Sequence, residues 1–299
     1  MNSEENKITY AEYKENVIAR LVKIKTWEDD GVYKYRGKYI SKNHILPLFN
    51  KENSRVKRAD AIRQYLGFDC TPYFPKGFIG LHQYAHHLNS SQTFCMMFFS
   101  KLMYNNHYAT KLMVEFFKKV FLIDIHEGAE CNFEYKEDDD NKNHQRYRFK
   151  VLDEQEYEGT SFDFHIRDRN IEIFFEIKFT EDGFGKAKKD DSGRHECKAE
   201  QYLKLLPQPL KNNVTTDDIL HYYQIFRNII RAENEDKYVI FITDANNPST
   251  NKDKCEFMEK FGKYLDSKHI IFETWQNLAE TYQHFEELPF QLKAILEHN

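Results

Sequence analysis

Residues 159–179 read Gly159-Thr-Ser-Phe-Asp-Phe-His-Ile-Arg-Asp-Arg-Asn-Ile-Glu-Ile-Phe-Phe-Glu-Ile-Lys-Phe179, and their alternation decides the fold. Successive side chains of a strand point to opposite faces. Phe162, Phe164 and Ile166 therefore alternate with Asp163, His165 and Arg167. Farther on, Ile171, Ile173, Phe175 and Ile177 fill one face, while Glu176 and Lys178, two apart, project together from the other. Ser161–Arg167 and Ile171–Phe179 pair as a hairpin across Asp168–Asn170, which sets Asp163 beside Glu176. Like charges directly opposite each other on paired strands are destabilising, so something has to offset them. A divalent cation does so, and in part so does Lys178. Hard carboxylate oxygens suit Mg²⁺ or Mn²⁺, which keep several waters and take one or two carboxylates. Such an ion polarises a phosphodiester and lowers the pKa of a bound water. Lys178 then orients the attacking water or neutralises charge in the transition state. The plain alternative is a solvated strand face with an ordinary Glu–Lys pair.

Upstream, Tyr10–Ile24 carries Tyr10, Tyr13, Val17, Leu21 and Ile24 at helical spacing. Gly31–Ile40 suggests a small hairpin, and Ser54–Leu66 a basic helix with Arg55, Lys57, Arg58 and Arg63. Pro72, Pro75, Gly77 and Gly80 mark residues 70–80 as a loop. Ser90 is a natural cap for a helix reaching about Leu102. A further helix is expected over Tyr108–Leu122 and a strand over Ala129–Tyr135. Glu137–Asp140 reads as a solvated hairpin tip, with Tyr147–Leu152 returning from it.

Downstream, Thr180–Lys198 is rich in Gly, Lys and Asp and reads as a mobile loop. Thr216–Ala232 is expected to be a helix, Tyr238–Thr243 a strand, Lys252–Leu265 a helix, His269–Phe272 a strand, and Trp275–Leu296 helical. This order gives an α/β fold with a central mixed sheet flanked by helices. Residues 1–105 are expected to form a mainly helical extension and residues 106–299 the core.

Asp163 … Glu176-Ile-Lys178 resembles the D…(D/E)-x-K pattern of the PD-(D/E)xK nucleases, the restriction-endonuclease-like superfamily. Glu176 lies thirteen positions after Asp163, an interval that a short hairpin accommodates. Phe162 stands where the signature has a proline that does not ligate metal. The longer string Phe162-Asp-Phe … Phe175-Glu-Ile-Lys-Phe-Thr-Glu-Asp-Gly-Phe184, with Ser90-Ser-Gln92 upstream and Tyr223-Gln-Ile-Phe-Arg-Asn228 downstream, is similar to an uncharacterised bacterial branch. The resemblance implies Mg²⁺-dependent phosphodiester hydrolysis, with Mn²⁺ able to substitute. It implies Asp163 and Glu176 as metal ligands and Lys178 as the catalytic lysine. The implied substrate is nucleic acid, double-stranded DNA in a restriction or defence setting. A helix beside the active site is also implied, with Gln224 positioning water or phosphate.

Other residues bear on the site. Glu134 ends the first strand and is a candidate to join the metal, and Glu115 on the preceding helix is weighed against an exposed glutamate. Gln224, Arg227 and Arg231 share one helix face, and Gln224 and Arg227 are candidate second-shell or nucleic-acid contacts. Lys186, Lys188, Lys189, Arg194 and Lys198 cluster after the catalytic strand, where phosphate contacts position a duplex without reading sequence. His82, His86 and His87 lack an H-E-x-x-H arrangement, so a zinc reading fails for them, and His195-Glu-Cys197 is incidental.

Composition limits the alternatives. The 299 residues carry net charge −5, against proteins that coat nucleic acid through bulk positive charge but not against an enzyme with an acidic metal site. Five cysteines, none in C-x-x-C, fit reduced thiols in the cytoplasm better than a disulfide framework. No apolar run approaches a membrane span. A homodimer suits double-strand cutting, although no residue demands it. The competing classes are a non-catalytic nucleic-acid-binding protein keeping the nuclease fold and a metal-independent interaction protein. Intact Asp163, Glu176 and Lys178 favour the enzyme.

Overall fold

A computed structural model of the chain describes residues 8–35, 38–48, 54–74, 81–136, 161–187, 194–232 and 234–282, together with 292 and 296. The acidic tract at 137–140, the expected strand at 147–152, and Lys188 and Lys189 lie outside the described residues. The decisive hairpin forms as its alternation dictates. Strands β6 (Ser161–Asp168) and β7 (Ile171–Ile177) are antiparallel, with Phe164 opposite Phe175, Ile166 opposite Ile173 and Arg167 opposite Glu172. They sit inside a seven-stranded sheet of order β3-β4-β5-β6-β7-β8-β9. The others are β3 (Met103–Tyr104), β4 (Tyr108–Ala109), β5 (Glu130–Lys136), β8 (Lys237–Thr243) and β9 (Ile270–Thr274). β7 and β8 run parallel while β3/β4, β4/β5 and β6/β7 are antiparallel, so the α/β fold has a mixed central sheet as expected.

The chain divides into two compact units. The first comprises Met1–Cys131, Thr243–Pro248 and Thr274–Asn299. Helix α1 (Tyr10–Lys23) begins with a capping box between Thr9 and Glu12 and buries Tyr13, Val17 and Leu21. Tyr13 donates to the buried Asp244 carboxylate at 2.7 Å, and Gln276 donates to its other oxygen at 2.6 Å. β1 (Gly31–Tyr35) and β2 (Lys38–Lys42) form the small hairpin. Helix α2 (Arg55–Leu66) starts on a Ser54 cap, but Arg58 is buried and donates to the Leu81 carbonyl, so this helix is not basic on its outer face alone. Helix α3 (Ser91–Phe99) is capped by Ser90 and buried on nearly every side; its Phe94 stacks on Trp275 with ring centroids 4.0 Å apart. Helix α4 (Lys111–Val120) begins three residues later than expected. Tyr108 and Ala109 pair with β3 and β5 instead, and Thr110 caps the helix by accepting from the Met113 amide.

A histidine cluster in this unit makes its stability pH-dependent. His86 is fully buried, and neither of its ring nitrogens has a hydrogen-bond partner. His87 lies edge-on 4.8 Å away, and His44 is 5.8 Å from His87. Burial pushes His86 down to about 3 and His44 and His87 to about 4, from an ordinary 6.5. The fold holds these rings neutral while the unfolded chain protonates them. Their contribution is therefore full above pH 6.5 and lost as pH falls toward 4, on the order of 1 kcal/mol per pH unit for each histidine. Melting temperature is expected to drop steeply over that window and less steeply in His86→Leu. An unchanged slope in that variant would remove this account.

The second unit comprises Asn132–Ile242 and Ser249–Glu273. Its core gathers Phe162, Phe174, Phe184, Val239 and Phe241 of the sheet region with Tyr202, Phe226, Phe257 and Phe261 of the helices. The expected loop at 180–198 is corrected in two ways. Arg194–Leu205 is a helix, α5, because Ala199, Tyr202 and Leu206 recur at helical spacing and bury on that core. Residues 180–187 are not helical but are tied down, as described below. The expected helix at 216–232 is two: α6 (Thr216–His221), opened by a Thr215–Asp218 capping box, and α7 (Tyr223–Ile229). The break falls at Tyr222, whose backbone leaves the helical region (φ −109°, ψ 42°) while its ring packs on Phe226 and Phe257. Helix α8 (Pro248–Phe261) starts earlier than expected, with proline in its first turn, where no amide is needed. Helix α9 (Trp275–Tyr282) belongs to the first unit.

Candidate active site

The site lies in the second unit, where β6, β7 and α7 bring their polar side chains together. The β6/β7 register, continued one step past Phe164 and Phe175, sets Asp163 level with Glu176. Asp163 Oδ2 accepts from the Ile177 amide at 2.6 Å. β7 continues alongside β8, because the Lys178 amide donates to the Ile242 carbonyl at 2.8 Å. Both Glu176 and Lys178 are buried, at 5% and 9% exposure. Their burial is what distinguishes them from a solvated Glu–Lys pair.

Three donors converge on the Glu176 carboxylate. Lys178 Nζ is 2.8 Å from Oε1. Gln224 Nε2 donates to the same oxygen at 2.6 Å, and Asn228 Nδ2 donates to Oε2 at 2.9 Å. Gln224 and Asn228 are one helical turn apart on α7 and so share a face. Asp163 is less well served. Burial, then the Glu176 and Glu134 charges, hold its carboxyl well above the usual carboxylate range, and Lys178 and the Ile177 amide only partly oppose this. Burial lowers Lys178, but Glu176, Glu181 and Asp163 outweigh it and raise the ammonium above its ordinary value. Lys178 is therefore charged at neutral pH.

Glu134 reaches this group through a kink in β5. Its φ is +50°, a conformation uncommon for a residue with a side chain. The kink interrupts the alternation: Phe133 packs on Phe164, whereas Tyr135 stacks face to face on His165 at 3.7 Å. A second carboxylate on the hairpin provides a contrast. Glu172 has His165 and Lys237 beside it, and Arg167 at 3.2 Å. These neighbours, His165 foremost, hold its carboxyl well below the usual range despite burial. The two acids of the hairpin are thus pushed in opposite directions, Glu172 down by its basic neighbours and Asp163 up by burial and neighbouring carboxylates.

The segment leaving β7 is fixed by side chains. Glu181 accepts from the Phe179 amide at 2.5 Å, Ser249 donates to Asp182, and the Phe184 amide donates to Asp253 at 3.0 Å. Gly183 has φ +77°, and a Cβ there would stand 2.2 Å from Asp253 Oδ2. Ala187 closes the segment by donating to the Leu220 carbonyl at 2.9 Å.

The carboxylate surplus is what a divalent cation would relieve. Asp163 and Glu176 suit Mg²⁺, which takes one or two carboxylates and keeps its waters. Among the described residues no group of three or more His, Cys, Asp or Glu is arranged to hold a metal. Of the sequence's histidine group, His82 is exposed and His86 buried. Glu115 is exposed and faces Lys111, 3.9 Å away. Arg227 is half-buried on α7, and Arg231 falls beyond the end of that helix and is buried. Lys186 is 3.8 Å from Asp253, so part of its charge is spent locally. The sequence reading overlooked Asn228, although its i+4 spacing from Gln224 was the signal. It also overlooked Glu181.

A mixed-sheet α/β unit with an acidic pair and a lysine on a central hairpin belongs to the restriction-endonuclease-like class of folds. Residues 23–294 match the family described as restriction endonuclease associating with ARP, and the chain belongs to that family. No curated protein and no solved structure matches the chain. Among the described residues no helix is long and apolar enough to cross a membrane.

Proposed function

We propose that the chain is a metal-dependent nuclease of the PD-(D/E)xK type that cuts double-stranded DNA, with Asp163, Glu176 and Lys178 as its catalytic residues. The observation that carries this reading is the juxtaposition of two carboxylates, Asp163 level with Glu176 on the β6/β7 hairpin, beside the buried Lys178 ammonium. Family membership supports a nuclease, since the family is named for restriction endonucleases. A bound Mg²⁺ or Mn²⁺ supplies a Lewis acid and a water of lowered pKa. Asp163 and Glu176 hold the cation. Lys178 presents positive charge to a non-bridging phosphate oxygen or to the attacking water. Gln224 keeps Glu176 turned toward Lys178, and Glu134 adds negative charge beside Asp163. Arg227 contributes a phosphate contact from α7. Cutting both strands calls for two such sites, hence a homodimer. Five free cysteines agree with work in a reducing cytoplasm.

Plasmid and oligonucleotide DNA, with RNA as a comparison, should be incubated with the chain in Mg²⁺, in Mn²⁺ and in EDTA. Cleavage is expected in both metals and not in EDTA. Glu176→Ala and Lys178→Ala are expected to lose at least about 10³-fold in rate. Absence of cleavage of every substrate in Mn²⁺ would sink the proposal, and full activity of Lys178→Ala would sink its mechanism.

A further inference from the structure

We propose that Asn228 is a positioning residue of this site, holding the second oxygen of Glu176 and accepting a hydrogen bond from a water at the Asp163–Glu176 pair. The inference rests on the metal-dependent reading above and extends it to a residue which that reading did not use. Three observations carry it. Asn228 Nδ2 donates to Glu176 Oε2 at 2.9 Å, the oxygen that neither Lys178 nor Gln224 takes. The residue is 1% exposed, so this is not a passing surface contact. Its Oδ1 is buried with no hydrogen-bond partner. Buried amide oxygens are rarely left without a donor, because desolvation costs about 1–3 kcal/mol.

The roles of the two amides follow from what each grips. Gln224 shares Oε1 with Lys178, so loss of Gln224 leaves that oxygen with a charged donor. Among the described residues Asn228 is the donor that fixes Oε2, and with it the rotation of the carboxylate about its last torsion. With Nδ2 committed to Glu176, the adjacent Oδ1 needs a donor. Among the described residues it finds none, and a water of a hydrated cation supplies one. A structural amide packed into the α7 face would need no such water.

The test reads metal binding directly. Mn²⁺ affinity is to be measured by electron paramagnetic resonance at a temperature well below melting, on the wild type, Asp163→Ala, Asn228→Ala and Asn228→Leu. The leucine variant keeps the volume and removes both polar functions, so it stays informative if the alanine variant fails to fold. The wild type is expected to bind Mn²⁺ in a manner lost in Asp163→Ala, and both Asn228 variants to bind about tenfold or more weakly. Wild-type affinity in a folded Asn228→Leu would overturn the role of Asn228 and leave the nuclease reading standing. Wild-type binding indifferent to Asp163→Ala would overturn both. A crystal structure with Mn²⁺ is expected to place a water within hydrogen-bond reach of Asn228 Oδ1; an Oδ1 still lacking a donor would overturn the water half of the proposal.

Discussion

Asp163→Asn is expected to yield a chain that no longer cleaves DNA and yet melts at a higher temperature than the wild type in EDTA. The two effects have one cause. Asp163 is held well above the ordinary carboxylate range by burial and by the Glu176 and Glu134 charges. Its ionised form therefore costs the fold, and stability falls as pH rises from the ordinary carboxylate range, where the unfolded carboxyl ionises, up to the raised pKa held in the fold. An asparagine removes the charge, and its amide oxygen still accepts from the Ile177 amide, as Asp163 does at 2.6 Å. The gain in EDTA at neutral pH is expected to be about 1–2 kcal/mol, in line with other stabilising changes at functional sites. Cleavage is expected to fall by at least about 10³-fold, and the rise in melting temperature that Mg²⁺ gives the wild type should disappear. Melting curves in EDTA and in Mg²⁺ decide the matter. A variant less stable than wild type in EDTA would mean that the charge of Asp163 is met in some other way.

The second large effect is expected at Gly183. Its φ of +77° is costly for any residue with a Cβ, and that Cβ would stand 2.2 Å from Asp253 Oδ2. Asp253 would have to move and would lose the Phe184 amide that it now receives at 3.0 Å. Strained backbone and a lost buried hydrogen bond together amount to about 2–4 kcal/mol in Gly183→Ala. Gly183 is five residues past Lys178, in the segment that Glu181 and Asp253 pin. The loss of stability is therefore expected to come with weaker cleavage below the melting transition. Chemical denaturation of Gly183→Ala measures the first effect, and a loss under about 0.5 kcal/mol, the level of an indifferent surface change, would contradict it.

The sequence made some of this legible and concealed the rest for identifiable reasons. Strict alternation of Phe and Ile with Asp, Glu and Lys specifies the β6/β7 hairpin, since a one-residue slip would turn every apolar side chain outward. Helical spacing of Tyr10, Tyr13, Val17 and Leu21 located α1, and the Ser90 cap located the start of α3. In sequence Tyr108 and Ala109 read as helical because they adjoin the apolar period of α4, but β4 takes both residues. Lysine and aspartate around 180–198 concealed α5, whose buried positions Ala199 and Tyr202 lie just beyond the end of that window. Tyr222 broke one helix into two because burial of its ring outweighed helical continuity. Asn228 went unnoticed because its i+4 spacing from Gln224 marks only a shared helix face; the position of Glu176 in space gives it a role.

The interleaving of the two units along the chain has a consequence for how the protein is made. The first unit opens the sequence, yet its Tyr13 hydroxyl waits for Asp244 and its Phe94 ring for Trp275. The whole of the second unit ends at Glu273, so it has left the ribosome before Trp275 does. At about 5–20 residues per second, the early helices pass some ten seconds or more without their partners. The half that is translated first is thus completed last, and a ribosome that stalls near residue 273 releases a chain whose second unit is entire while its opening helices still expose the surface meant for Trp275.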